Sequence, residues 1–188
     1  MPQEPTTPAA WQVTPTLWVA EAPGRPPRHR AEVIRGLRRH RASRSRARAW
    51  ALGQWSLSPE QTPESVVIVD RRIKDVPIRR AMWPAPLYRY PVPERGVGDQ
   101  PIEALARLVG LLTRLTREKR VIVLGAQPHT SVVALSVLVA GCGSITQAHE
   151  LYAERGAAEL PDNWDRFLTK YLLRFEMPFL LTGREPQS

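Results

Sequence analysis

The sequence predicts an α/β domain, and three observations predict it. Short apolar runs that read as buried strands come early, and helices with clear start and stop signals come late. Between them one stretch, Arg120 to Gly141 (RVIVLGAQPHTSVVALSVLVAG), carries a buried strand through a tight loop into a buried helix. At 188 residues, 43% of them hydrophobic and 24% charged, the chain suffices for one well-formed core with tails.

Taken in order, residues 1–12 are expected to be disordered, since the first ten are rich in Pro, Thr and Ala; the domain then runs over 13–178 with a tail at 179–188. Thr16–Ala20 (TLWVA) is a strand, stopped by the breaker PGRPP. Residues 31–50 suit a helix with a short apolar stripe of Val33, Ile34 and Leu37. After the linker GQWSLSPEQTPE, Val66–Asp70 (VVIVD) is a buried strand, and Leu87–Val92 (LYRYPV) alternates as another until proline stops it.

The later helices announce their ends. Asp99 precedes Pro101 at a helix start, and Ile102, Leu105, Leu108, Val109, Leu112 and Leu115 recur at helical spacing up to a basic terminus. Val121–Leu124 offers no polar face and reads as a strand buried on both sides. Ser131 or a neighbour opens the helix Val132–Ala140, closed by GCG. Ser144 with Gln147 forms a capping box for a helix through Glu154. Asp162 caps a last helix with Trp164, Phe167, Leu168, Tyr171, Leu172 and Phe175 on one face.

Almost all of the net charge of +9 sits in one place. Between Arg28 and Arg48 there are nine arginines and one acid, Glu32. Arg35, Arg38, Arg39, Arg41, Arg44, Arg46 and Arg48 therefore form a candidate basic patch for nucleic acid or another polyanion; a solvated helix face with arginines lying over apolar surface is the alternative. Trp11, Trp18, Trp50, Trp55 and Trp83 all fall in the less regular half, and suit either an aromatic interaction surface or a core under long loops.

Other classes find no support. A single cysteine, Cys142, excludes an internal disulfide framework, and His29, His40, His129 and His149 have no paired metal-ligand spacing, so no metal is expected. No glycine-rich nucleotide loop is present and no cofactor is implied. The longest apolar run is too short to span a bilayer, and an intracellular location, cytoplasmic or nuclear, is expected.

Four stretches in this order resemble the dual-specificity branch of the protein tyrosine phosphatase superfamily: VTPTLWVAEAP, YRYPVPERGVGDQPI, RVIVLGAQPHTSVVAL and AHELYAERGAAELPDNWDRFLTKYLLRFE. The likeness covers about Val13 to Glu176, with a basic Arg-rich insertion at about 28–64 that fits poorly. It implies a three-layer fold with a central, mostly parallel sheet flanked by helices.

That family writes its phosphate loop H-C-x-x-G-x-x-R-[ST]. Backbone amides and a helix N-terminus cradle the phosphate and lower the cysteine pKa; the thiolate attacks phosphorus and the arginine grips two oxygens. Laid on this chain without a gap, Leu124 stands for the histidine, Gly125 for the cysteine, Pro128 for the glycine, Ser131 for the arginine and Val132 for the final hydroxyl. The resemblance thus implies a degenerate phosphate loop of Gly125, Ala126, Gln127, Pro128, His129, Thr130 and Ser131. Within it His129 is the one ionisable group, a polar loop residue by default that could still touch an anion, and Thr130 and Ser131 suit capping the following helix as well as binding. Cys142 lies too far along to replace the thiol. Glu94 occupies the general-acid segment, with Asp99 a second candidate that is better explained as a helix cap. The expectation is a pseudophosphatase, not an enzyme, that serves as a protein-binding or scaffolding module with a protein partner, or alternatively binds nucleic acid through Arg28–Arg48.

Overall fold

Among the described residues the chain forms five short strands and five α-helices. The structure, a computed structural model, describes residues 10–21, 38–92, 99–142, 144–154, 169–171 and 173–174. The strands are β1 (Trp11–Thr14), β2 (Leu17–Ala20), β3 (Ser65–Ile68), β4 (Leu87–Arg89) and β5 (Val121–Leu124). The helices are α1 (Arg38–Gln54), α2 (Asp75–Met82), α3 (Asp99–Thr116), α4 (Gln127–Cys142) and α5 (Ile145–Glu154).

The strand order is β1-β2-β5-β3-β4, with β1 antiparallel to β2 and every other neighbour parallel. β5 is the middle strand, in register with Leu17–Ala20 on one side and Ser65–Ile68 on the other. Alternate side chains of these three strands feed two separate cores. Leu17, Val19, Val67, Val121 and Val123 pack with Leu105, Leu108 and Leu112 of α3, most of α4, and Ala148 and Tyr152 of α5. Trp18, Ala20, Val66, Ile68, Ile122 and Leu124 pack with Ala47, Ala51 and Leu52 of α1, Ile78, Ala81 and Met82 of α2, and Trp55. Burial on both faces is why these strands read as unbroken apolar runs. The result is the expected three-layer α/β arrangement around a mostly parallel sheet.

Several boundaries differ from expectation. β1 begins at Trp11, so Trp11 and Gln12 belong to the sheet and not to a disordered N-terminus; Trp11 is held there by an edge-on contact with Tyr152, ring centroids 5.6 Å apart. α2 was not singled out from the sequence; its Pro77 lies in the first turn, where no amide donor is needed. The strand expected over Leu87–Val92 is β4, which ends at Arg89. The described part of the arginine-rich helix runs on to Gln54, past Arg48, and the linker's Trp55 is fully buried, its indole N–H donating to the Glu21 carbonyl at 3.0 Å. The Ser144 cap is as expected, its hydroxyl accepting from the Gln147 amide at 3.3 Å. Val33, Ile34, Leu37, Asp162 and most of the last expected helix lie outside the described residues.

Candidate functional site

In an open parallel sheet the chemistry-bearing crevice lies beyond the carboxyl ends of the strands, where the chain leaves in different directions. Here that place is the exit of β5, between the ends of β2 and β3. The Gly125 amide donates to the Ala20 carbonyl at 3.1 Å and the Val69 amide to the Leu124 carbonyl at 2.9 Å, so backbone from three strands closes around the turn.

Gly125 is buried and its turn is tight. A Cβ built on it would lie 2.7 Å from Val69 Cγ2 and 3.3 Å from Thr130 Cγ2. The site therefore excludes a side chain at the position where the resemblance expects a cysteine, and the obstacle is a β-branched residue with little freedom to move aside.

α4 begins at once, at Gln127, four residues before the expected Ser131. Of the seven residues expected as a loop, only Gly125 and Ala126 form the turn; Gln127, Pro128, His129, Thr130 and Ser131 are helical. The Ala126 carbonyl accepts from the His129 and Thr130 amides at 3.0 and 3.1 Å, which turns those donors into the helix and away from any ligand. Pro128 contributes no amide hydrogen. His129 is 3% exposed and is a core residue rather than a loop residue. Ser131, at the expected arginine position, is equally buried and shares a side-chain hydrogen bond with Tyr152 of α5. Burial pushes the Tyr152 phenol pKa up, and that hydrogen bond opposes the rise only in part.

The group that holds this turn was not singled out from the sequence. Asp70 follows β3 and is 5% exposed. Its Oδ2 accepts the Ala126 amide at 3.3 Å and Arg72 Nη2 at 3.2 Å; its Oδ1 accepts the Arg72 backbone amide at 2.8 Å and Arg72 Nε at 3.2 Å. Burial of the carboxyl pushes its pKa up. The hydrogen bonds from the Arg72 side chain and backbone, with the charges of Arg72 and His129, outweigh it, and Asp70 lies below the ordinary aspartate value. A carboxylate at a helix N-terminus, gripped bidentately by an arginine, is how a protein holds an oxyanion. In this chain the oxyanion is its own. The available signal was that Asp70 is a charged residue closing the apolar run VVIV at the sheet's carboxyl end.

The remaining predicted residues divide as follows. Glu94 and Arg35 lie outside the described residues. Asp99 opens α3 as its first residue. Arg38, Arg39, Arg41, Arg44, Arg46 and Arg48 all lie on α1, across the sheet from α4. Arg44 and Arg46 are exposed, while Arg48 Nε donates to the Ala81 carbonyl of α2 at 3.5 Å. Cys142 ends α4, half-buried, its thiol donating to the Ser144 carbonyl at 3.2 Å. Among the described residues no group of three or more His, Cys, Asp or Glu side chains is placed to hold a metal, and no helix is long and apolar enough to cross a membrane.

No protein-family model and no curated protein matches the sequence. Solved structures do match. A mouse protein described as a dual specificity phosphatase, complexed with zinc tungstate, superposes with a TM-score of 0.60 at 16% identity, over 100% of this chain and 98% of that one. Human DUSP28 gives a TM-score of 0.57 at 16% identity over 92% and 95% of the two chains, and Tk-PTP in its active form 0.56 at 15% over 89% and 98%. The chain thus has the protein tyrosine phosphatase fold, in the form seen in dual-specificity phosphatases. This corrects the expectation of a non-enzyme: the similar solved structures are described as phosphatases, one of them in its active form. Gly125 records the absence of one nucleophile and says nothing about other chemistry.

Proposed function

We propose that this phosphatase-fold domain binds a protein partner through a surface other than the exit of β5. The observation that supports this reading is the Asp70 carboxylate on the Ala126 amide. A phosphorylated group brought to within about 4 Å of that carboxylate meets a repulsion of about 4 kcal/mol per unit charge at an effective dielectric of about 20. The Arg72 guanidinium, paired with the same carboxylate, offsets part of that repulsion, but its two nearest donors are already taken up by Asp70. Recognition of phosphate at this place is therefore disfavoured, while two packed cores leave the outer helix faces free to present a surface.

The test is affinity capture from cells with the native chain and with Asp70→Asn, followed by elution with millimolar phosphate. The expected result is a stoichiometric partner kept by both proteins and not released by phosphate. A partner displaced by phosphate, or no partner together with turnover of a phosphomonoester, would contradict the proposal.

A further inference from the structure

α1 and α2 pack side by side on the face of the sheet opposite α4, and together they carry eight arginines against one acid, Asp75. Their outer surface is also apolar in two places. Val76 is 76% exposed and Trp83, which caps the end of α2, is 58% exposed. A separation of seven residues returns both to one side of a helix, about two turns apart. Arg79, in the same turn spacing, is exposed and paired at 3.8 Å with Asp75. The Arg44 guanidinium of α1 lies over the Trp83 ring, 5.6 Å from its centroid, and Arg46, also on α1, is exposed.

Of the five early tryptophans, Trp18 and Trp55 are core and Trp11 and Trp50 are partly buried against it, which leaves Trp83 as the exposed one. A large exposed aromatic with a cation over its ring is an anchor with a charge preference.

We propose that the α1–α2 face docks an acidic, amphipathic segment of a protein partner, with apolar side chains seated on Val76 and Trp83 and carboxylates facing Arg44, Arg46 and Arg79. This names the chemistry of the partner and rests on the protein-binding reading above. Charge complementarity selects an acidic partner, and the two apolar anchors select a peptide over nucleic acid. Val76 offers a nucleic acid nothing to pair or stack with, and one face of the Trp83 ring is already covered by Arg44.

The test is fluorescence anisotropy with three probes: a helical peptide with Glu on one face and Leu and Phe on the other, its Lys-for-Glu counterpart, and a thymidine oligomer of about 20 nucleotides, longer than a typical single-strand site of about 4–16. The full chain is compared with Trp83→Ala, Val76→Ser and the pair Arg44→Glu with Arg46→Glu, each checked for a native melting transition. The expected result is saturable binding of the acidic peptide, about tenfold weaker in Trp83→Ala and in the charge-reversed pair, with no binding of the lysine peptide. Tighter binding of the oligonucleotide, or peptide binding indifferent to Trp83 and Val76, overturns the proposal. Loss of the peptide while a captured cellular partner is retained by the same variants also overturns it, and leaves the protein-binding reading standing.

Discussion

The carboxylate of Asp70, just past β3, accepts the backbone amide of Ala126, just past β5, at 3.3 Å. That bond joins two parallel strand ends and fixes where α4 begins.

Neutralising Asp70 has a cost that depends on pH. The folded pKa is depressed below the ordinary aspartate value of 3.8. The stabilisation is therefore fully present above that value and is lost as pH falls through the folded pKa. Asp70→Asn is expected to lower stability by about 1–3 kcal/mol at pH 7, the range for hydrogen bonds to a charged group. Denaturant melts of native and variant are expected to converge as the pH falls below 3.8 and through the folded pKa. A difference that is constant with pH would contradict the assignment.

Restoring a cysteine at the end of β5 requires a second change. Gly125→Cys places its Cβ against Val69 Cγ2 and is expected to destabilise the chain by about 1–3 kcal/mol, the range for an overpacked core. In a Val69→Ala background the added penalty of Gly125→Cys is expected to fall to well under half, as read by thermal melts. An equal penalty in both backgrounds would place the strain elsewhere.

How much of this was legible in the residues depends on whether local pattern or distant contact decided the structure. β5 and the body of α3 were readable because four apolar residues in a row and a strict helical spacing each admit one interpretation. The start of α4 was not. GAQPHTS has the composition of a loop, and what makes it helical is remote in sequence: Asp70 on the Ala126 amide, Tyr152 on Ser131, and burial of His129 and Thr130 against the sheet. β1 was missed for a similar reason, since WQVT is short and its place depends on pairing with β2 and on Tyr152. The phosphatase-like order of elements survived these errors because it rests on the strands.

Tyr152 reports on the same helix pair. Tyr152→Phe removes the bond to Ser131 and is expected to cost about 1 kcal/mol. Because the folded phenol pKa is raised above 10.0, the native contribution is complete below pH 10 and is lost as pH rises beyond it. The alkaline edge of the stability profile should therefore flatten in the variant, which pH-dependent melts measure.

Cys142 is a structural thiol at the end of α4. Cys142→Ser keeps a donor for the Ser144 carbonyl and is expected to change stability by less than about 1 kcal/mol. Any phosphate turnover measured for the chain is expected to be the same in this variant; its loss would assign the thiol a role that its position does not suggest.

The central claim is that Asp70 occupies the oxyanion position at the exit of β5. It is tested most directly by titrating tungstate into native protein and Asp70→Asn while following the amide signals of Gly125 and Ala126. The account predicts no saturable shift in the native chain and a saturable one in Asp70→Asn, where Arg72 and the Ala126 amide are released. A saturable shift at Ala126 in the native chain would contradict it.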